Sequence, residues 1–155
     1  MSHITHRHRG SATVLVVDPR PVSLTALAAV IDSQGYECYC ARNAKAACKA
    51  VEQRPIDMIL WDVADDAAAA IDQIHALREL HPEPLADVPV ILIAESCWAG
   101  LETRLDPISP ARCLFKPLDP NTLIDLIQQS LWVPHVIRGH HLNVKKPLQP
   151  GWVKL

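Results

Sequence analysis

Five short apolar runs recur along the chain, each too short for a helix and each handing over to a stretch of helical periodicity. Thr13 to Val17 is uninterrupted and β-branched, the pattern of a strand buried on both faces, and it ends at Asp18. Pro21 suits the first position of a helix, and Leu24, Leu27, Ala28 and Ile31 then recur at helical spacing until Gly35. Tyr36 to Cys40 reads as the second strand. Asn43 is placed to cap an alanine- and lysine-rich helix reaching about Gln53, and Pro55 separates that helix from a strand over Asp57 to Trp61, closed by Asp62. Asp65-Asp66 can cap the next helix, whose stripe is Ala70, Ile71, Ile74, Leu77 and Arg78, and which Pro82 and Pro84 end. Val88 to Ala94 is the most hydrophobic strand. A short helix is expected around Cys97 to Leu105, weakened by Gly100 and closed before Pro107 and Pro110. Arg112 to Phe115 makes strand five, and Asp119-Pro120 opens a last helix buried through Leu123, Ile124, Leu126, Ile127 and Leu131. From Pro134 the pattern breaks.

Strands alternating with helices over short loops imply right-handed crossovers and an α/β fold with helices on both faces of a parallel sheet. The layout is flavodoxin-like: a (βα)5 doubly wound, five-stranded parallel sheet in the order 2-1-3-4-5. The expected boundaries are a disordered tail over 1–11, one domain over 12–133, and an extension over 134–155.

Composition narrows the class. A chain of 155 residues, 49% hydrophobic, is one ordinary domain. Fifteen basic and 17 acidic residues leave a formal charge of -2, which gives no electrostatic case for nucleic acid or an acidic membrane surface as partner. No apolar stretch approaches the roughly 20 residues that span a bilayer, and the polar opening lacks the apolar core of a signal peptide, so a cytoplasmic location is expected. Cys38, Cys40, Cys48, Cys97 and Cys113 are odd in number and scattered over predicted strands and helices, which reads as reduced thiols. Cys38 and Cys40 share a strand face without further ligands nearby, so they read as small hydrophobes before a zinc site.

The candidate chemistry lies at strand ends. Asp18, Asp62 and Lys116 each close a predicted strand on its C-terminal side, the edge where open α/β sheets bind ligands, and two acids with a lysine point to phosphate and metal chemistry. The plainer readings are helix caps for the aspartates and a static charge network for all three. A small flavodoxin-like cofactor-binding protein is a further alternative. Against it, Asp18-Pro19-Arg20-Pro21 stands where a glycine-rich phosphate loop would be. His3, His6, His8, His135, His140 and His141 fall in the two ends, where a metal reading has no scaffold. Trp61 is expected in the core or a pocket wall, and Trp132 and Trp152 against their own domain or a partner groove.

The run Val14-Leu15-Val16-Val17-Asp18, the pair Gly35-Tyr36, the segments Pro55 to Asp62 and Pro89 to Ile93, and Phe115-Lys116-Pro117-Leu118-Asp119 together resemble the receiver domain of two-component response regulators, over about Thr13 to Trp132. That resemblance implies a phosphoryl group accepted on Asp62 from a histidine kinase or phosphotransfer protein, and Lys116 contacting it. It further implies Mg2+ at Asp18, Asp62 and the Ala64 backbone carbonyl. The chain departs from the pattern at three positions. Pro19 replaces the second acid after strand one, so Mg2+ binding is expected to be weak or lost, and Asp65 or Asp66 stand nearby as substitutes. Ala94 replaces the hydroxyl residue after strand four, with Ser96 two residues on. Cys113 replaces the aromatic of strand five. The resulting expectation is an atypical, stand-alone receiver. It acts by protein contact through the surface of helix four, strand five and helix five or through the tail, with homodimerisation open. A phosphorylation-independent pseudo-receiver that docks or dimerises is the alternative.

Overall fold

In a computed structural model of the chain, residues 11–98 and 100–140 are described, with 132–140 described by backbone alone. The strands are β1 (Thr13–Val17), β2 (Glu37–Ala41), β3 (Met58–Asp62), β4 (Val90–Ala94) and β5 (Ala111–Phe115), all parallel and ordered β2-β1-β3-β4-β5. The expected flavodoxin-like order is therefore observed. The helices are α1 (Pro21–Ser33), α2 (Ala44–Gln53), α3 (Ala67–Leu80), α4 (Pro82–Leu85) and α5 (Pro120–His140).

Alternation along the strands divides the interior into two layers, because successive side chains leave a strand on opposite faces. Leu15, Val17, Ile59, Trp61, Leu92 and Ala94 face Ala47, Ala50 and Val51 of α2 and Ala70, Ile71, Ile74 and Leu77 of α3. Val14, Val16, Met58, Leu60, Ile91 and Ile93 face Leu24, Leu27 and Ile31 of α1 and Leu123, Leu126 and Ile127 of α5. Trp61 is core, as the sequence pattern implies.

Local chemistry sets the helix ends. Asn43 accepts the Ala46 N–H at 2.8 Å, Asp66 the Ala69 N–H at 2.9 Å and Asp119 the Thr122 N–H at 2.9 Å, each satisfying an otherwise orphaned donor. Gly35 follows α1 at φ 87°, a left-handed conformation that glycine adopts without strain. Pro82 and Pro84 do more than stop α3. They form the extra turn α4, since proline's missing N–H costs nothing in the first turn of a helix.

Two segments differ from the sequence pattern. The helix expected around Cys97 to Leu105 is replaced by three 3₁₀ turns, Ser96–Trp98, Leu101–Arg104 and Asp106–Ile108. Leu101, Leu105 and Ile108 are buried against the α3 side of the sheet, but Gly100 and Pro107 interrupt any longer hydrogen-bonded run. The surface expected of helix four is thus built of 3₁₀ turns, without an α-helix. The backbone of α5 continues through Pro134 to His140, beyond the point where the apolar pattern breaks. Residues 1–10 and 141–155, most of both expected tails, lie outside the described residues, as do the side chains of Trp132, His135 and His140. Ser11, at the inner end of the first tail, donates from its hydroxyl to the Gly35 carbonyl at 3.0 Å.

Candidate functional site

Strand order decides what reaches the C-terminal edge of the sheet. β1 and β3 are neighbours, so Asp18, just past β1, and Asp62, the last residue of β3, emerge side by side. The Asp18 N–H donates to the Ala41 carbonyl at 3.0 Å and the Lys116 N–H to the Ala94 carbonyl at 2.9 Å, which ties both residues to the ends of neighbouring strands. Asp18 and Asp62 are 0% and 3% exposed and are the buried polar residues of the described core. Carboxylates so far from water need partners.

Asp62 has them on both sides. Its Oδ1 accepts the Ala64 N–H at 2.8 Å and an Arg20 guanidinium N–H at 2.9 Å. Lys116 Nζ stands 2.8 Å from Oδ2, but off the direction of a hydrogen bond, so the contact is an ion pair and Oδ2 accepts no hydrogen bond among the described residues. Asp18 Oδ1 accepts the Arg20 backbone N–H at 2.9 Å and lies 3.6 Å from Arg20 Nε, while Asp18 Oδ2 is buried without a hydrogen-bond partner among the described residues. The Asp62 charge, and next to it that of Asp18, raises the Arg20 guanidinium above its ordinary pKa against the opposing effect of burial. The structure therefore brings Asp18, Asp62 and Lys116 together as the strand ends imply, and adds Arg20, which sequence reasoning missed. Its only signal was the arginine in Asp-Pro-Arg-Pro between a strand and a helix.

The other predicted positions fall as follows. Ala64 takes a left-handed φ of 55°, which turns its N–H back onto Asp62. Asp66 is spent as the cap of α3, and Asp65 is exposed on the rim of an open cleft of about 330 Å³ beside Asp62, bordered also by Pro19, Arg42 and Asn43. Ala94 is buried, Ser96 is exposed in the first 3₁₀ turn, and Cys113 is buried on the α3 side of the sheet, where burial pushes its thiol up to about 11. Away from the edge, Cys48 Sγ lies 3.3 Å from His81 Nε2 and 3.7 Å from Glu52 Oε2, a hydrogen-bonded cluster joining α2 to the end of α3.

Receiver domains generally bind Mg2+ in an acidic pocket, and the residues of this pocket fit such an ion poorly. A cation is favoured by the buried Asp18 Oδ2 and Asp62 Oδ2, which accept no hydrogen bond among the described residues, although Lys116 already faces the second. Against it, Pro19 offers no side-chain ligand, Asp62 Oδ1 already accepts two hydrogen bonds, and a guanidinium lies against both carboxylates. Two carboxylates, one guanidinium and one ammonium already sum to no net charge, whereas magnesium sites are built from an excess of oxygen ligands.

Residues 14–128 match the family described as the response regulator receiver domain. The chain is 26% identical over 126 residues to the transcriptional regulatory protein ZraR of Escherichia coli O157:H7, covering 80% of this chain and 27% of that protein. It is 29% identical over 121 residues to the sensor histidine kinase RcsC of Salmonella typhimurium, covering 77% of this chain and 12% of the relative. The chain thus spans about a quarter or less of the length of these curated relatives. Its fold is similar to that of the chemotaxis protein CheY4 of Vibrio cholerae, with a TM-score of 0.70 at 20% identity over 79% of this chain and 100% of that one. The receiver domain of NtrX from Brucella abortus is similar at a TM-score of 0.67 and 20% identity, covering 77% of this chain and 98% of that one. With the family match extending from β1 into α5, the chain belongs to the response regulator receiver domains of two-component systems.

Proposed function

We propose that Asp62 accepts a phosphoryl group from a histidine kinase or phosphotransfer protein, in the cytoplasm, and that the chain passes the signal on by protein contact. The observation that carries this reading is the state of the Asp62 carboxylate. Oδ1 is anchored by Ala64 and Arg20, while Oδ2 accepts no hydrogen bond among the described residues and faces the Lys116 ammonium. A carboxylate attacking phosphorus needs an available lone pair, fixed orientation and charge neutralisation more than it needs a base. In the transfer, Oδ2 forms the bond to phosphorus as the P–N bond to the donor histidine breaks. The nitrogen keeps the electron pair, and the imidazole, protonated on its other nitrogen, leaves neutral. Lys116 offsets the charge of the phosphoryl oxygens. Acetyl phosphate followed by intact-mass measurement tests the reading. One added phosphoryl group, absent in Asp62→Asn, is the expected result, and no adduct with small donors or a cognate kinase overturns it.

A second reading, a receiver that docks without phosphate, is favoured by Ala94 and Cys113. A methyl group cannot hydrogen-bond a phosphoryl oxygen, and a small buried thiol cannot swing as an aromatic ring does. A ligand shifts an equilibrium only through contacts that differ between the two states, and these two contacts are absent. Partner binding that is unchanged in Asp62→Asn, with no adduct on the native chain, establishes this second reading. A purified chain with flavin-like visible absorbance would instead support the cofactor-binding alternative.

A further inference from the structure

We infer that Arg20 is a built-in substitute for the divalent cation, so that the Asp18 and Asp62 site works without a metal. This rests on the reading of Asp62 as phosphoacceptor and concerns how that site is charged. The argument starts from the backbone. Pro19 and Pro21 flank Arg20, and a residue before proline is confined to extended conformations. Arg20 sits there at φ -95° and ψ 119°. Its N–H is held by Asp18 Oδ1 at 2.9 Å, and its carbonyl accepts the Leu24 N–H at 2.9 Å, the first hydrogen bond of α1. Both ends of the residue are therefore fixed before the side chain is considered, which lowers the ordering cost of directing the guanidinium inward.

The side chain then does what a cation between two acids does. It bridges Asp18 and Asp62, at 3.6 Å and 2.9 Å, using a planar group whose several N–H donors suit carboxylates. Pro19 is part of the same arrangement. It removes a side-chain ligand for a metal and at the same time stiffens the arm that delivers the arginine. A bound divalent ion would bring two further charges into a site already neutral, and would have to displace the guanidinium. With its side chain 52% exposed, Arg20 is free to be displaced by competition, so the two cations exclude each other rather than coexist.

The test uses the full chain as native protein, Arg20→Ala and Arg20→Gln. The Arg20 side chain makes no helix-capping hydrogen bond, so both variants keep the start of α1. Mn2+ alone is titrated by the electron paramagnetic resonance of the free ion, with Asp18→Asn marking sites elsewhere, including the histidine-bearing tails. The expected result is Mn2+ affinity at the Asp18-dependent site at least about tenfold tighter in both variants than in the native chain. Equal affinity in native chain and variants overturns the inference. Acetyl phosphate is then supplied with Mg2+ or with EDTA. Native chain labelled equally in both, with Arg20→Ala labelled only with Mg2+, is expected. Labelling of the native chain that vanishes in EDTA, or metal-independent labelling of Arg20→Ala, overturns the inference. Absence of labelling in every condition overturns Asp62 as phosphoacceptor instead, while the Mn2+ titration still decides the role of Arg20.

Discussion

Lys116 Nζ lies 2.8 Å from Asp62 Oδ2, although Asp62 closes β3 and Lys116 follows β5, with β4 between them. The lysine therefore reaches across a whole strand to the acid, held at its own N–H by the Ala94 carbonyl. Lys116→Met keeps the aliphatic stem and removes the charge. Asp62 Oδ1 retains Arg20 and the Ala64 N–H, so the expected loss of stability is about 1–3 kcal/mol, below the roughly 3–5 kcal/mol of breaking a fully buried ion pair because one countercharge remains. Phosphoryl incorporation is expected to fall on the order of 100-fold, because Lys116 offsets charge that develops during transfer. Urea melts and intact-mass time courses measure the two effects. Unaltered incorporation sinks the assigned role of the lysine.

The elements that were legible in the sequence are those decided locally. Strands buried on both faces read as uninterrupted apolar runs, and Asn43, Asp66 and Asp119 cap their helices because a side-chain oxygen next to the first turn needs no tertiary context. The convergence of Asp18, Asp62 and Lys116 was legible because parallel connectivity places all strand ends on one edge. Arg20 was not legible. Its partner lies on another strand, and an exposed arginine in a proline-rich turn looks like any solvated loop residue until the sheet brings β1 and β3 together. The 3₁₀ turns after β4 escaped for a related reason. Leu101 and Leu105 keep a helix-like spacing, yet Gly100 is a costly residue to order in a helix and Pro107 lacks the N–H that would continue one, so the segment closes only 3₁₀ turns.

Arg78, which the sequence pattern places in the apolar stripe of α3, has a further task. Its guanidinium donates to the Ser109 carbonyl at 2.6 Å and to the Val88 carbonyl, tying α3 to the entries of both β4 and β5. Burial lowers its pKa, with Asp87 opposing. Arg78→Met fills similar volume but leaves two carbonyls without their donor, so a loss of about 2–4 kcal/mol in urea unfolding is expected. Arg78→Lys, a single point charge in place of a fork, is expected to recover less than half of that. Full recovery by lysine would show that charge alone, not the two-pronged contact, matters here.

Ala64 holds a left-handed backbone next to the acid it donates to. For a residue with a Cβ that conformation costs roughly 1–2 kcal/mol, whereas glycine adopts it freely at an entropic cost below about 1 kcal/mol in the unfolded chain. Ala64→Gly is therefore expected to be neutral or up to about 1 kcal/mol more stable by thermal or urea unfolding. A loss of more than about 1 kcal/mol would mean that the Ala64 methyl group makes a packing contribution larger than the strain it causes.

Cys113 predicts how the fold responds to alkali. Burial pushes its thiol up to about 11, with the charge of Glu102 adding to the effect. Between the ordinary thiol value, near 9, and about 11, the unfolded chain gives up this proton while the folded chain keeps it. The unfolded state is then favoured progressively, so stability is whole below about pH 9 and declines as pH rises through this window. Cys113→Ala removes the group and should flatten part of the decline in melting temperature between pH 8.5 and 10.5, two points chosen about the ordinary thiol value. The same protection shows in chemistry, since the thiolate is the nucleophile. Cys97, exposed in the first 3₁₀ turn, is expected to alkylate well before Cys113 at pH 8 in native buffer, and the two should converge in denaturant. Peptide mapping after iodoacetamide reads the order, and a Cys113 that modifies as fast as Cys97 in the native chain would contradict the buried thiol.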